Sequence, residues 1–191
     1  MKRTMMAGFL AVVLLGPVGA AGQKADNELP ERFRAFAANL GNVRTNLDGR
    51  PLEIQISRWS TQGEEQKMLE GLKEKGPREL MNILQDLPKV GWIRTQGSLS
   101  YDLRFARYAP AGDGGRQVTL ITDRPMQFWE MAGGSISRDY PFTVIELTLN
   151  HEGKGEGKLM MATKITIQAG ILVLEDLSTQ PIRLMSVTKE K

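Results

Sequence analysis

The sequence predicts a mainly β fold of the α+β class: an antiparallel β-barrel or sandwich of roughly eight strands, with a short N-terminal helix and an inserted helical hairpin. Most of the 191-residue chain shows a two-residue hydrophobic period, which is typical of half-buried strands. One internal segment, residues 61–87, switches to helical spacing. The connections are short, which favours antiparallel neighbours, because parallel ones need crossovers of a dozen or more residues.

The first patterned segment, PERFRAFAANLG, is predicted to be a short helix. Phe33, Phe36 and Ala37 stand at helical spacing, with Pro30 before them and Gly41 after them. Proline near the start and glycine at the end are common helix boundaries. We therefore expect one helix before the first strand.

The helical hairpin is predicted between Thr61 and Leu87. Thr61 and Glu64 have the spacing of a capping box, and apolar residues then recur at helical spacing. Gly76 is suited to end the first helix and Pro77 to start the second. Pro88 follows the second helix and ends it.

Strands are predicted on both sides of this hairpin. Before it, RPLEIQISRW alternates apolar and polar residues. After it, turn residues separate strands at Ser100–Tyr108, Arg116–Thr122, Met126–Met131, Phe142–Leu149, Lys158–Ile167, Ile171–Glu175 and Ile182–Val187. The expected core residues are Leu52, Ile54, Ile56, Leu103, Phe105, Leu120, Ile145, Leu147, Ile165 and Leu184.

The N-terminus resembles a cleavable secretory signal. Lys2 and Arg3 precede the apolar run AGFLAVVLLG, and the small residues VGAAG follow Pro17, which suits cleavage near Ala20 or Ala21. The apolar run is shorter than the roughly 20 residues that a membrane-spanning helix needs. We therefore predict a signal peptide over residues 1–21, a flexible leader over 22–30 and one domain over 31–191, exported to the periplasm or secreted.

Composition excludes several classes of function. The formal charge falls from +3 to +1 once Lys2 and Arg3 are removed, because no acidic residue leaves with them. A nearly neutral chain has no strong positive potential to attract the phosphate groups of nucleic acids, so nucleic acid is not an expected partner. The chain has no cysteine, which excludes disulfides, thiolate metal sites and cysteine nucleophiles. No membrane span is expected in the mature chain.

The segment NHEGKGEGK contains the only histidine, His151. A phosphate loop needs a helix after its last glycine, whereas a strand is predicted after Lys158. Glu152 and Glu156 could join His151 at a metal, but a glycine-rich turn offers no fixed second shell. A solvated turn is the favoured interpretation, and no metal, cofactor or catalytic triad is expected. Ser135 in GGSIS has no nucleophile-elbow context and is interpreted as a loop residue.

Acidic residues on or beside the predicted strands are the remaining enzymatic candidates. Two carboxylates facing one cavity could act as general acid and base. Alternation with Leu103 turns Asp102 outward beside Arg104, which favours a cross-strand ion pair. The full set is Asp102, Asp123, Glu130, Glu146 and Glu175.

Methionine and tryptophan residues offer a different interpretation, because both types line adaptable apolar pockets. Core filling is the commoner role for such residues and is the favoured interpretation. The residues concerned are Met126, Met131, Met160, Met161, Met185, Trp59, Trp92 and Trp129.

The order of DGRPLEIQISRWST, the helical hairpin, SYDLRFARY and YPFTVIELTL resembles a family of small exported bacterial proteins of uncharacterised function. The resemblance covers most of the mature chain. It implies no activity, ligand or catalytic residue.

Two classes of function therefore stay open. One is a non-catalytic binding module for a small apolar ligand or a protein partner, which needs only an apolar cavity or an exposed strand edge. The other is a carboxylate-dependent hydrolase of an extracellular polymer. The sequence favours the binding module, because no convergent polar site is found in it, and it assigns no ligand-binding residue.

Overall fold

The computed structural model describes residues 10–13, 29–38, 51–123, 142–168, 171–176 and 181–190. Within these ranges the strands are β1 Leu10–Val13, β2 Glu31–Ala38, β3 Pro51–Ile56, β4 Gly91–Thr95, β5 Tyr101–Pro110, β6 Arg116–Thr122, β7 Phe142–Leu149, β8 Lys154–Gln168, β9 Ile171–Asp176 and β10 Ile182–Lys189. The helices are α1 Gln62–Lys75, α2 Pro77–Asp86 and a 3-10 helix over Gly112–Gly114.

Eight of these strands close into an antiparallel β-barrel. The order around the barrel is β8, β10, β2, β3, β4, β5, β6 and β7, and β7 pairs with β8 to close it. Strand β9 pairs with the second half of β8, and β1 pairs with β9. The predicted fold class is confirmed, and the architecture is the barrel rather than the sandwich.

Strand β1 lies within the segment that is predicted to be a signal peptide. The other residues of that segment lie outside the described ranges, as does the strand predicted at Met126–Met131. Export therefore stays a prediction.

The predicted N-terminal helix is wrong: residues 31–38 form strand β2. Phe33, Ala35 and Ala37 are buried while Arg34 and Phe36 are exposed, which is a strand alternation. Phe33 and Ala37 fit both periods; a helix would bury Phe36 between them, whereas the strand buries Ala35. Pairing with β10 and β3 on both sides selects the strand, because tertiary pairing overrides a short helical pattern.

The predicted helical hairpin is confirmed. The Thr61 hydroxyl accepts from the Glu64 backbone N–H, and the Glu64 carboxylate accepts from the Thr61 backbone N–H, so the capping box is complete. Gly76 has φ 79° between the helices, a left-handed value that favours glycine. Pro77 begins α2.

Two apolar clusters stabilise the molecule. One fills the barrel, with Leu52, Ile54, Ile93, Leu120 and Ile145 among its fully buried members. The second, called the outer cluster here, lies between the hairpin and the outside of the barrel. Its members are Met68, Leu72, Leu80, Ile83, Leu84, Leu87, Phe105, Ile121, Phe142, Val144, Met160, Ile165 and Leu174.

All ten predicted core residues are buried, but Phe105 and Ile165 belong to the outer cluster. A register shift in β5 between Leu103 and Phe105 breaks the alternation there. Strand β4, with the sequence GWIRT, was not predicted. It is short, and Ile93 is its only fully buried large side chain, so it carries little periodic signal.

Candidate functional site

The segment around His151 is a tight turn between β7 and β8. The Asn150 side-chain oxygen accepts from the backbone N–H groups of Glu152 and Lys154, both at 3.0 Å. Gly153 occupies the left-handed region at φ 74°. His151 is exposed, and within the described ranges no three His, Asp or Glu side chains form a group that could hold a metal ion.

Strand β8 begins at Lys154, four residues before the predicted start. Gly155 and Gly157 therefore lie in the strand rather than at the tip of the turn. A Cβ on Gly155 would lie 1.8 Å from the Thr148 carbonyl oxygen of β7. Close approach of two backbones, and not flexibility, explains this glycine.

Two of the candidate acids are tied to a single arginine. Arg104 donates from Nε to the Asp123 carboxylate at 3.0 Å, and its Nη2 lies 3.8 Å from the Asp102 carboxylate. Its Nη1 donates to the Leu87 carbonyl at the end of α2. Lys89 also pairs with Asp102. These acids anchor the hairpin to β5, in line with the predicted pairing of Asp102 beside Arg104.

Of the other candidate acids, Glu130 lies outside the described ranges, and only the backbone of Glu175 is described. Glu146 is buried on the outside of the barrel, where its side chain is 7% exposed. Lys158 on β8 places its Nζ 3.9 Å from Glu146 Oε2, and Glu146 Oε1 has no hydrogen-bond partner. Burial raises the pKa of Glu146, and the Lys158 charge offsets this only in part.

The main candidate site is an apolar groove between the hairpin and the outside of the barrel. It has a cavity volume of about 90 Å3. One wall comes from the helices: Glu65, Met68, Leu69, Leu72 and Leu80. The opposite wall comes from the strands: Phe105, Arg107, Tyr108, Ala109, Gln117, Thr119, Ile121, Val144, Ile165 and Leu174.

Cross-strand pairing gives this groove an apolar side and a polar side. Phe105, Ile121, Val144 and Met160 lie opposite one another on successive strands and form an apolar row. The adjacent row is formed in the same way by Arg107, Thr119, Glu146 and Lys158. Because residues two apart on a strand share a face, both rows lie on the outside of the barrel.

An ion pair closes the polar side against the first turn of α1. Arg107 Nη1 donates to Glu65 Oε1 at 2.7 Å, and both side chains are about one-fifth exposed. Arg58 binds Glu64 through two hydrogen bonds of 2.9 Å, and the pKa of Glu64 is lowered, mainly by the hydrogen bond from Arg58. These contacts hold the start of the hairpin against the barrel.

No protein-family model, curated protein or solved structure matches this chain. Function must therefore be argued from the site itself. In the described ranges no helix is both long and apolar enough to cross a bilayer.

A second groove, of about 220 Å3, lies on the outside of β2, β3 and β4. Its arginines already have partners: Arg34 pairs with Glu190, and Arg94 pairs with Glu53. The Arg94 guanidinium also lies 4.7 Å from the centre of the Trp92 ring. Arg32 donates to the Gln55 side-chain oxygen, so this surface is a solvated sheet face whose arginines all have polar partners.

A buried charge cluster, called the Glu31 cluster here, consists of Glu31, Arg116 and Lys189. The Glu31 side chain is fully buried and binds Arg116 through two hydrogen bonds of 3.2 and 2.7 Å. Lys189 donates to it at 3.2 Å. The guanidinium of Arg116 lies 5.8–5.9 Å from the rings of Phe33, Trp59 and Tyr108, within cation–π range.

Of the methionine and tryptophan candidates whose side chains are described, none lines the apolar groove; these are Met160, Met185, Trp59 and Trp92. Trp59 packs against the barrel core and edge-on to Tyr108, with ring centres 4.8 Å apart. Met160 is buried in the outer cluster, and Met185 is exposed. The side chains of Met126, Trp129, Met131 and Met161 lie outside those described.

The buried charge of Glu146 leads to a prediction for stability. Folding raises the pKa of this carboxyl, so the folded state favours its protonated form. The resulting contribution to the free energy of unfolding is complete below the ordinary pKa of 4.5 and is lost as pH rises through the pKa of the folded state. Glu146→Gln should therefore stabilise the protein by about 1 kcal/mol at pH 7, a melting-temperature rise of about 2–4 °C. The gain should shrink towards pH 4.5, as measured by thermal melts at both pH values.

The matched control for this prediction is Glu156→Gln, an exposed glutamate on β8. It should leave the melting temperature nearly unchanged at both pH values, because an exposed carboxylate is already hydrated. A fall in melting temperature for Glu146→Gln at pH 7 would mean that the ionised carboxylate stabilises the fold.

Proposed function

We propose that the protein is an exported, non-catalytic binding protein that holds an apolar chain in the groove between its helical hairpin and its barrel. The observation that carries this proposal is the groove itself, whose lining is mostly aliphatic and aromatic and includes the polar side chains of Glu65, Arg107, Gln117 and Thr119. Binding sites commonly combine an apolar lining with a few oriented polar groups. A non-catalytic binding protein needs such a site and no catalytic residues.

The site lies outside the barrel, because the described interior is filled by the residues of the barrel cluster. Phe33, Leu52, Ile54, Leu103 and Ile145 are each at most 1% exposed. Large side chains from neighbouring strands fill the interior, as is common for an eight-stranded barrel.

The volume of the groove limits the occupant. A site needs about 10–15 Å3 on this measure to hold one water, so 90 Å3 corresponds to roughly six non-hydrogen atoms. This is well below the roughly 300–1,000 Å3 of sites for drug-sized ligands. The occupant is therefore a short alkyl chain or the end of a longer one.

The alternative function, a carboxylate-dependent hydrolase, receives less support. Such an enzyme needs two carboxyl groups that face one cleft. Asp102 and Asp123 flank Arg104, and Glu146 stands next to Lys158. None of these three described acids lines the apolar groove.

Filling the groove tests the proposal. Leu69 lines it from α1 and is half-buried, so Leu69→Trp places a larger side chain in the space that the chain would occupy. Hexyl methyl ether is a suitable probe because it carries an alkyl chain and no hydrogen-bond donor. We expect calorimetric titration to show binding to the wild type and at least a roughly tenfold weaker affinity for Leu69→Trp, equivalent to about 1.4 kcal/mol.

Glu74→Trp provides the control, because Glu74 is exposed on the same helix and does not line the groove. This variant should bind the ether as the wild type does. Equal affinity of all three proteins would place the probe elsewhere, and a wild type that fails to bind at all would contradict the proposed function.

Export is tested by determining the N-terminus of the protein purified from its native host. The basic start, the apolar run and the small residues predict cleavage after Ala20 or Ala21. Mass spectrometry should find a chain that begins at Ala21 or Gly22. An intact Met1 in a soluble cytoplasmic fraction would contradict export.

A further inference from the structure

The groove is buried at its apolar side and partly exposed at its polar side. Phe105, Ile121 and Val144 of the apolar row are buried, whereas Arg107 and Thr119 of the polar row are partly exposed. All five line the groove, and neighbouring rows are about 7 Å apart along the strands. An amphiphile therefore fits in one orientation, with its alkyl chain at the apolar row and its head group at the polar row.

The polar side offers hydrogen-bond donors that the protein leaves unused. Arg107 and Thr119 lie directly opposite each other on β5 and β6. A guanidinium group has five N–H donors, and among the described residues the Arg107 side chain makes a single hydrogen bond, from Nη1 to Glu65. Within the same part of the chain, neither the Thr119 hydroxyl nor the side chain of Gln117, which also lines the groove, makes a hydrogen bond. A head group with acceptor oxygens would use these donors.

Charge at the polar side favours a neutral head group. Glu65 already compensates Arg107 at 2.7 Å, and Lys158 faces Glu146 in the same row. A carboxylate that approached Arg107 would lie beside Glu65, and an ammonium that approached Glu65 would lie beside Arg107, so each would meet a like charge. A carbonyl oxygen accepts from the same donors without this repulsion.

We propose that the natural occupant of the groove is an acyl chain joined to the rest of its molecule through a neutral carbonyl, as an ester or an amide. The carbonyl oxygen accepts from Arg107 and Thr119, and the chain packs against the apolar row. This inference rests on the proposed function and names its class of ligand.

The test compares methyl hexanoate with hexyl methyl ether at pH 7. The two probes have the same length and differ only by the carbonyl oxygen that replaces two hydrogens beside the ether oxygen. Hydrogen bonds from charged donors are stronger than those from neutral ones, so we expect calorimetry to show about tenfold tighter binding of the ester to the wild type. N-Methylhexanamide distinguishes the two sources of the carbonyl: tighter binding of the ester indicates an acyl ester, and tighter binding of the amide indicates an acyl amide.

Two variants remove the donors. Thr119→Val keeps the shape of the side chain and loses the hydroxyl, and Arg107→Met combined with Glu65→Met removes the ion pair without leaving either charge unpaired. Each should lower the preference for methyl hexanoate over the ether from about tenfold to about threefold. Thr148→Val is the matched control, because Thr148 is exposed on β7 and does not line the groove; it should keep the wild-type preference.

If the double variant does not fold, Thr119→Val decides. Equal affinity of the wild type for the ester and the ether overturns this inference but leaves the proposed function standing. Tighter binding of hexanoate or hexylammonium than of methyl hexanoate also overturns it, as does a preference that Thr119→Val leaves unchanged. Failure of the ester and the ether alike to bind contradicts the proposed function instead.

Discussion

Glu31→Ala is expected to destabilise the protein by about 3–5 kcal/mol. The substitution leaves Arg116 and Lys189 without the fully buried carboxylate that both of them bind. Removing one partner of a buried ion pair is costly because the remaining charge stays desolvated. Urea unfolding, extrapolated to water, measures the loss.

Glu53→Ala is the matched control for this experiment. Glu53 also binds an arginine, Arg94, at 2.7 Å, but its side chain is 26% exposed and that of Arg94 is 46% exposed. Pairs at the surface contribute about 0–1 kcal/mol. If the two variants lose similar stability, the Glu31 cluster is not the buried anchor that the geometry indicates.

Phe33→Ala is expected to cost a similar amount, about 3–5 kcal/mol. Phe33 is 1% exposed in the barrel core, and truncation of a buried aromatic ring removes its burial and leaves a cavity. The ring also lies under the guanidinium of Arg116, so part of the loss comes from the Glu31 cluster.

Phe36→Ala distinguishes the observed strand β2 from the helix that the sequence predicts for the same residues. Phe36 is 45% exposed on the outside of β2, and its truncation should cost at most about 0.5 kcal/mol. In a helix the two rings would share one face and both truncations would be costly. Comparable losses for both variants would argue against the strand assignment.

Much of the architecture is predictable from local patterns. The capping residues Thr61 and Glu64 and the pair Gly76–Pro77 locate the hairpin, and these signals depend only on neighbouring residues. Strand β2 is different, because its eight residues fit two periods and partners distant in sequence decide between them. Closure of the barrel also depends on a distant contact, that of β10 with β2.

The sequence of β7 contains one signal of the groove. In β7 the run FTVI is apolar or small at successive positions, and Phe142, Val144 and Ile145 are all fully buried. A strand buried on both faces needs a second layer over its outer face, which is the layer that the hairpin forms. The placement of Glu146 between Thr119 and Lys158 depends on cross-strand register, which the hydrophobic pattern of one strand does not specify.

The Glu31 cluster could not be predicted for the same kind of reason. Arg116 lies 85 residues from Glu31 along the chain, and Lys189 lies 158 residues from it. Each is an ordinary charged residue by sequence, and Glu31 becomes buried only when the barrel closes. Long-range pairings of this kind carry no local period.

Intermolecular NOEs between hexyl methyl ether and the methyl groups of the methyl-labelled protein test the central claim most directly. If the groove binds the alkyl chain, we expect NOEs from this chain to Leu69, Ile121 and Val144, which line the groove. We expect none to Leu52 and Ile145, which fill the barrel. NOEs confined to the barrel interior, or to the exposed Met185, would show that the groove is not the binding site.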